Sequence, residues 1–462
     1  MPKQKCPGQK KHMSTQEALL TASPPPLILR LAVPAIISHL VDAFYNFADT
    51  YFVSGLGTSA TGAVGVAYPM MTIVFACGLL MGKGAGVSLS HALGANDREK
   101  AERIVADGMM YMLAIGVILA VICQLFVTPI AHILGATSTM LPLVRIYLRY
   151  ISFALPFKAA SVMLGCFFRF QGKFMKSMLG MGAGAVLNII LDPLFIYVLD
   201  MGVSGAALAT AIGQFVSFVI LMCMSGKDDT IPVRLRKVRF SLNNLRHYLE
   251  IGFPSLLKNS LSSVAAALMN TAAAVFGDPV VAAMTIAYRT TNVLLTAYFG
   301  MTESLQTFAG YNFGAKQYSR VNEARQFVQR FGTYALGGCA VLLFIFARPI
   351  VSCFDNNPAV INNGVNLLRA QSITLPILSL PCSGFVLLQA IGENRRATIV
   401  GTGRQALFLI PFALVFPRVL GITGLILIQP LSDICSSILT VFIIKPVTAF
   451  LRQPQLEDTT QE

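Results

Sequence analysis

The sequence predicts an all-α polytopic membrane protein whose twelve transmembrane helices form two six-helix bundles. Three observations lead there. The 462-residue chain is 55% apolar and only 12% charged, with mean hydropathy +0.66, about half the charge density of a soluble domain. At an offset of 220 it repeats itself: Pro34 meets Pro254, Tyr68 meets Tyr288, Gly94-Ala95 meets Gly314-Ala315, and Gly172 meets Gly392. With one residue slipped, Gly202 and Gly205 meet Gly421 and Gly424. Third, Lys and Arg concentrate in every second connection between apolar stretches.

In chain order, residues 1–27 form a Lys-rich arm ending in Pro24-Pro25-Pro26, a stiff polar-to-apolar boundary with little to pack. Stretches of spanning length follow at 28–54, 61–90, 104–127, 140–168, 174–199 and 203–224, making a first bundle over 28–224. Residues 225–246 are polar and basic, as a tether between bundles should be. A second set at 248–275, 280–311, 327–347, 361–390, 398–417 and 421–446 makes a bundle over 247–446, and 447–462 form a tail. Six spans per half return the chain to the side it started from, so the halves are parallel repeats about an axis along the membrane normal. Gly78, Gly82, Gly84 and Gly86 in the second span permit close helix contact. The mixed charges of 97–103 and 317–330 read as interfacial segments leading into the next spans.

A formal net charge of +14 invites a nucleic-acid reading, which its placement excludes. The basic residues lie in the arm, at 98–103, around Lys173 and Lys176, in the linker, at 316–330 and at Arg395, Arg396 and Arg404; connections 55–62, 128–139, 200–202 and 276–279 hold none. That pattern places both termini and the linker in the cytoplasm, with some attraction to anionic lipid. The first apolar stretch is too long for a secretory signal and reads as a retained span. Nine Cys without a CxxC motif argue against a disulfide or zinc framework. No metal-ligand cluster, Walker motif or nucleophile–base constellation is present, and no catalytic domain has room to exist, so neither enzyme nor cofactor is expected.

Charge inside hydrocarbon is expensive, so intramembrane acids are functional candidates. Asp42, Asn46 and Asp49 are spaced four then three apart on one face of the first span, and Asn188 and Asp192 are four apart in the fifth, just before Pro193. If the two spans converge, their carboxylates can trade protons or, with Asn oxygens, hold a dehydrated Na⁺ at Asp49, Asn188 and Asp192. At the same offset Asp42 becomes Ser262 and Asp49 becomes Met269, which confines ion coupling to the N-terminal bundle. Lys83 and Glu303 occupy equivalent positions with opposite sign and are substrate or gate candidates that could pair across the pseudo-two-fold axis and latch one face of the cleft. Lys158, Lys258, Arg289 and Arg369 either snorkel or line a hydrated cavity. With 31 Phe, 13 Tyr, 19 Met and no Trp, the interior suits amphipathic cations as well as ordinary helix packing.

The segments Tyr45-Asn46-Phe47-Ala48-Asp49-Thr50, Gly94-Ala95-Asn96-Asp97 and Leu187-Asn188-Ile189-Ile190-Leu191-Asp192-Pro193-Leu194-Phe195, with Gly314-Ala315-Lys316 repeating the theme, carry a resemblance over about residues 28–450. The chain resembles the multidrug and toxic compound extrusion (MATE) transporters, in particular the prokaryotic branch named after the DNA-damage-inducible protein F. The resemblance implies a V of two bundles that exports organic cations and other amphipathic compounds against inward H⁺, or alternatively Na⁺. It assigns Asp49, Asn188 and Asp192 to the coupling site, with Tyr147 as the fourth-span tyrosine and Thr210 as the sixth-span hydroxyl; Asp42 lies outside the family pattern. The expected protein is a functional monomer in a prokaryotic cytoplasmic membrane, rocking its bundles to alternate access. A lipid-linked saccharide flippase of the wider superfamily is the competing reading, since Lys83, Lys158, Lys258, Arg289 and Arg369 would suit a pyrophosphate.

Overall fold

An apolar chain in lipid has to satisfy its backbone hydrogen bonds within each segment, and among the described residues every regular element is helical. The computed structural model describes residues 15–452 except 137 and 139; the side chains of Ala43, Asn46, Phe47, Thr50, Thr58, Thr61 and Leu235 also lie outside the described residues. A short α1 (Thr15–Thr21) precedes α2 (Pro24–Ser54), α3 (Thr58–Gly94), α4 (Arg98–Leu125), α5 (Val127–Ile133), α6 (Leu141–Phe170), α7 (Phe174–Pro193) and α8 (Gly202–Met224). The second half holds α9 (Leu242–Ala274), α10 (Asp278–Gly314), α11 (Tyr318–Ile345), α12 (Ala347–Ser352), α13 (Pro358–Thr374), α14 (Ser379–Ala390), α15 (Asn394–Gly403) and α16 (Ile410–Arg452).

Among the described residues ten stretches are long and apolar enough to cross a membrane, and two features bring the number of crossings to twelve. Helix α9 is long enough but carries Arg246, Glu250, Lys258, Asn259 and Asn270. Residues 394–452 hold two crossings in one 59-residue stretch, which as a straight helix would run roughly 88 Å against a hydrocarbon core of about 30 Å. The break is Gly421, with φ 60° and ψ −140°, a conformation open to glycine. A Cβ on Gly424 would strike the Phe416 carbonyl, so the chain doubles back on itself there.

Two parts of the chain are more ordered than the sequence suggests. The three prolines open α2, where a missing N–H costs nothing. Ahead of them, α1 buries Leu19 completely. Asn312 Nδ2 donates to the Leu19 carbonyl at 3.0 Å, Arg320 Nη2 donates to the Ala22 carbonyl at 2.6 Å, and Leu19 and Thr15 pack against Gly172. The arm therefore docks across both halves. The linker is also tied down: Lys237 Nζ lies 2.7 Å from Glu102 Oε2, Arg239 N donates to Asp107 Oδ1 at 2.7 Å, and Ile231 N donates to Gln171 Oε1 at 2.7 Å.

The halves meet where α2 packs on α10 and α3 on α9. Their glycines meet reciprocally at the end carrying the basic connections. A Cβ on Gly94 would strike the Tyr311 carbonyl, and one on Gly314 would strike the His91 carbonyl. These contacts are each other's image at the offset of 220, so the repeated Gly-Ala pair marks where α3 and α10 cross.

Candidate functional site

Helices α7 and α8 cross at Gly184 and Gly213, each backbone filling the space a side chain would take on the other. One turn further along, this close approach brings Asn188 to Thr210. Asn188, Asp192 and Thr210 are buried, at 1%, 0% and 3% exposure. In the orientation that satisfies both ends of its amide, Asn188 donates to Asp192 Oδ2 at 3.1 Å and accepts from Thr210 N at 2.9 Å. Pro193 then removes an amide hydrogen, and the helix loosens into a π-turn over Leu194–Val198 directly beyond the acid.

Asp49 comes from α2, close enough to Asp192 for the two charges to interact. Its Oδ1 is buried and, among the described residues, lacks a hydrogen-bond partner. The buried Tyr147 of α6 faces both acids and Thr210. The structure thus brings together Asp49, Asn188, Asp192, Tyr147 and Thr210. Tyr45, one turn before Asp49, joins them with its hydroxyl toward Thr210, and the sequence reading missed it. A tyrosine in an apolar span gives no signal by itself, although its i, i+4 spacing from Asp49 places it on the same face. The Asn46 side chain, also expected here, lies outside the described residues.

Asp42, grouped with Asp49 in the sequence, faces a second site. It lines a cavity of about 290 Å³ between the halves, with His39, Lys83, Arg169, Lys258 and Glu303, and Lys158 is its foremost opposite charge. The possible pairing of Lys83 with Glu303 is not the one the structure forms. Glu303 Oε2 lies 3.0 Å from Arg169 Nη1 and 3.4 Å from His39 Nε2, while Lys83 lines the same cavity without reaching Glu303 as an ion pair. Equivalent positions touch only beside the axis, and Arg169 of α6 reaches the carboxylate first. Lys158 Nζ sits 5.8 Å from the Phe75 ring centroid. Arg369 is exposed and donates to the Phe344 carbonyl at 3.3 Å.

The second half has its own cavity of about 440 Å³, lined by Lys258, Arg289, Arg404, Gln405, Asp433 and Ser436 among others. Arg404 had counted toward a basic connection. Instead it opens a π-turn, Arg404–Leu409, and its Nε lies 2.6 Å from Asp433 Oδ1, while Thr374 Oγ1 donates to Asp433 Oδ2 at 2.9 Å. At the offset of 220 Arg404 falls on Gly184, and in the register slipped by one residue that aligns Gly202 with Gly421, Asp433 falls on Gln214, so this ion pair has no counterpart in the first half.

Two like bundles of six spans, with charged and polar side chains buried within them and in the cavity between them, have the architecture of a membrane transporter. The MatE family model matches residues 34–194 and 254–415. The chain belongs to that family. It is 30% identical over 404 residues to the multidrug export protein MepA of Staphylococcus saprophyticus, covering 86% of this chain and 88% of that one. Similar solved structures include MATE in the bent conformation, with TM-score 0.89 and 25% identity over 95% of this chain and 98% of that one. Another is an outward-facing multidrug resistance MATE family transporter of the MOP superfamily, with TM-score 0.85 and 26% identity over 96% and 100%.

Proposed function

We propose that this integral membrane protein is a multidrug antiporter, exporting amphipathic compounds, organic cations among them, in exchange for inward H⁺. The observation that carries the coupling assignment is the buried, unpartnered Asp49 Oδ1 beside the Asn188–Asp192 pair. Two carboxylates sharing a buried site are readily held with one of them protonated, and a proton added or removed there rearranges every hydrogen bond in the cluster. The all-oxygen donor set also suits Na⁺, which makes Na⁺ the alternative coupling ion. Protonation of Asp49 or Asp192 removes charge between α2 and α7, and the π-turn after Asp192 gives α7 a place to bend. Glu303, Arg169 and His39 join the halves on the path a rocking motion must open.

We assign 28–224 and 247–446 to the moving bundles, with 1–27, 225–246 and 447–462 on the cytoplasmic face of a prokaryotic plasma membrane and the monomer as the working unit. Support comes from the charge asymmetry of the connections and from the MepA relatives. The deciding measurement is ethidium efflux from proteoliposomes under a proton gradient and, separately, a sodium gradient. Asp49→Asn and Asp192→Asn should each abolish gradient-driven efflux; efflux at the wild-type rate in both variants overturns the coupling assignment, and efflux driven only by sodium replaces the proton.

A further inference from the structure

The interhalf cavity and the second-half cavity adjoin: Lys258, Asn259, Phe299, Cys382 and Phe385 line both. Glu303 is engaged by Arg169 and His39, Asp433 by Arg404 and Thr374, and Asp42 faces Lys158. Lys83, Lys258 and Arg289 are left with no carboxylate within 4.0 Å among the described residues. Lys258 is the best placed of these. Its Nζ lies 4.9 Å from the Phe299 ring centroid and 4.7 Å from that of Phe385. Two aromatic faces stabilise the ammonium there without neutralising it. On the same cavity wall, Gln405 Oε1 and Ser436 Oγ are buried and, among the described residues, without hydrogen-bond partners, an arrangement expensive enough to call for a polar group that completes it.

From this geometry we propose that the second-half cavity is a subsite for amphipathic anions of drug size. A carboxylate would sit on Lys258, a polar group would meet Gln405 and Ser436, and an aromatic body would lie along Phe299 and Phe385. A cavity of about 440 Å³ matches a drug-sized molecule, which favours a compact aromatic acid over a polyprenyl pyrophosphate. The subsite rests on the multidrug export reading only for its place on the transport path.

The test uses two probes with one ring system, 9-anthracenecarboxylate and 9-(aminomethyl)anthracene, titrated by fluorescence into the full-length protein in nanodiscs, with empty nanodiscs as the blank. Saturable binding of the carboxylate is expected. Lys258→Met should weaken it about tenfold or more, the effect of losing one charge-assisted contact, and Lys258→Arg should restore most of it. The amine should bind Lys258→Met at least as tightly as wild type, which also shows that the variant is folded. No saturable carboxylate binding to wild type, a change under about twofold in Lys258→Met, or binding of farnesyl pyrophosphate in place of the carboxylate overturns the subsite. Because the titration needs no gradient, carboxylate binding without ethidium efflux would sink the export reading and leave the subsite standing. Ethidium efflux without carboxylate binding would do the reverse.

Discussion

Glu303 shows how much one carboxylate can hold at a junction between two bundles. It and Arg169 are 15% and 13% exposed, so removing one partner leaves the other charged and nearly dry. Glu303→Gln should cost about 3 kcal/mol, read as a fall in melting temperature of the purified protein. The double variant Arg169→Gln/Glu303→Gln should recover part of that loss, because the penalty belongs to the orphaned charge. A double variant no more stable than the sum of the two single losses would remove the latch. The site acids were legible in the sequence because a carboxylate in an apolar run announces itself. Arg169 was not, since it falls one residue beyond the expected end of the fourth span at 168. Arg404 was misread for a related reason: composition near a span end cannot separate an interfacial arginine from one turned inward onto Asp433.

Among the elements, α3 and α10 depend most on the smallness of their residues. At their crossing Gly94 and Gly314 face the carbonyls of Tyr311 and His91. Gly94→Val and Gly314→Val should each push the helices apart at a cost of about 1–3 kcal/mol and lower the melting temperature to a similar extent. Gly338→Val is the control, since a Cβ there meets nothing within 4 Å; an equal fall in all three variants would mean that valine's helix propensity, not the crossing, sets the effect. The offset of 220 revealed that these glycines match, but not that they touch. Periodicity gives a residue's position along its helix, and only the placement of the axis decides which matched positions come together. The Lys83–Glu303 pairing fails where the glycine pairs succeed for that reason.

For the whole molecule, the alternation of basic and bare connections makes a topological prediction that can be checked in cells. Alkaline phosphatase fused after Asp200 should be active and after Asp228 inactive; the opposite result would invert the protein in the membrane. Twelve spans and two halves were legible because lipid leaves so few ways to fold an apolar chain. The docking of α1 was not, since seven residues with a single fully buried leucine carry no periodic signal. That helix also has a consequence in time. Leu19 leaves the ribosome 293 residues ahead of Asn312 and 301 ahead of Arg320, a lead of roughly 15–60 s at ordinary rates of synthesis. Throughout that interval α1 has only its first-half contacts, at Gly172 and α2. Its full attachment therefore reports that the chain has been made through α10 and into α11, and a ribosome that stalls before Asn312 leaves α1 without those partners.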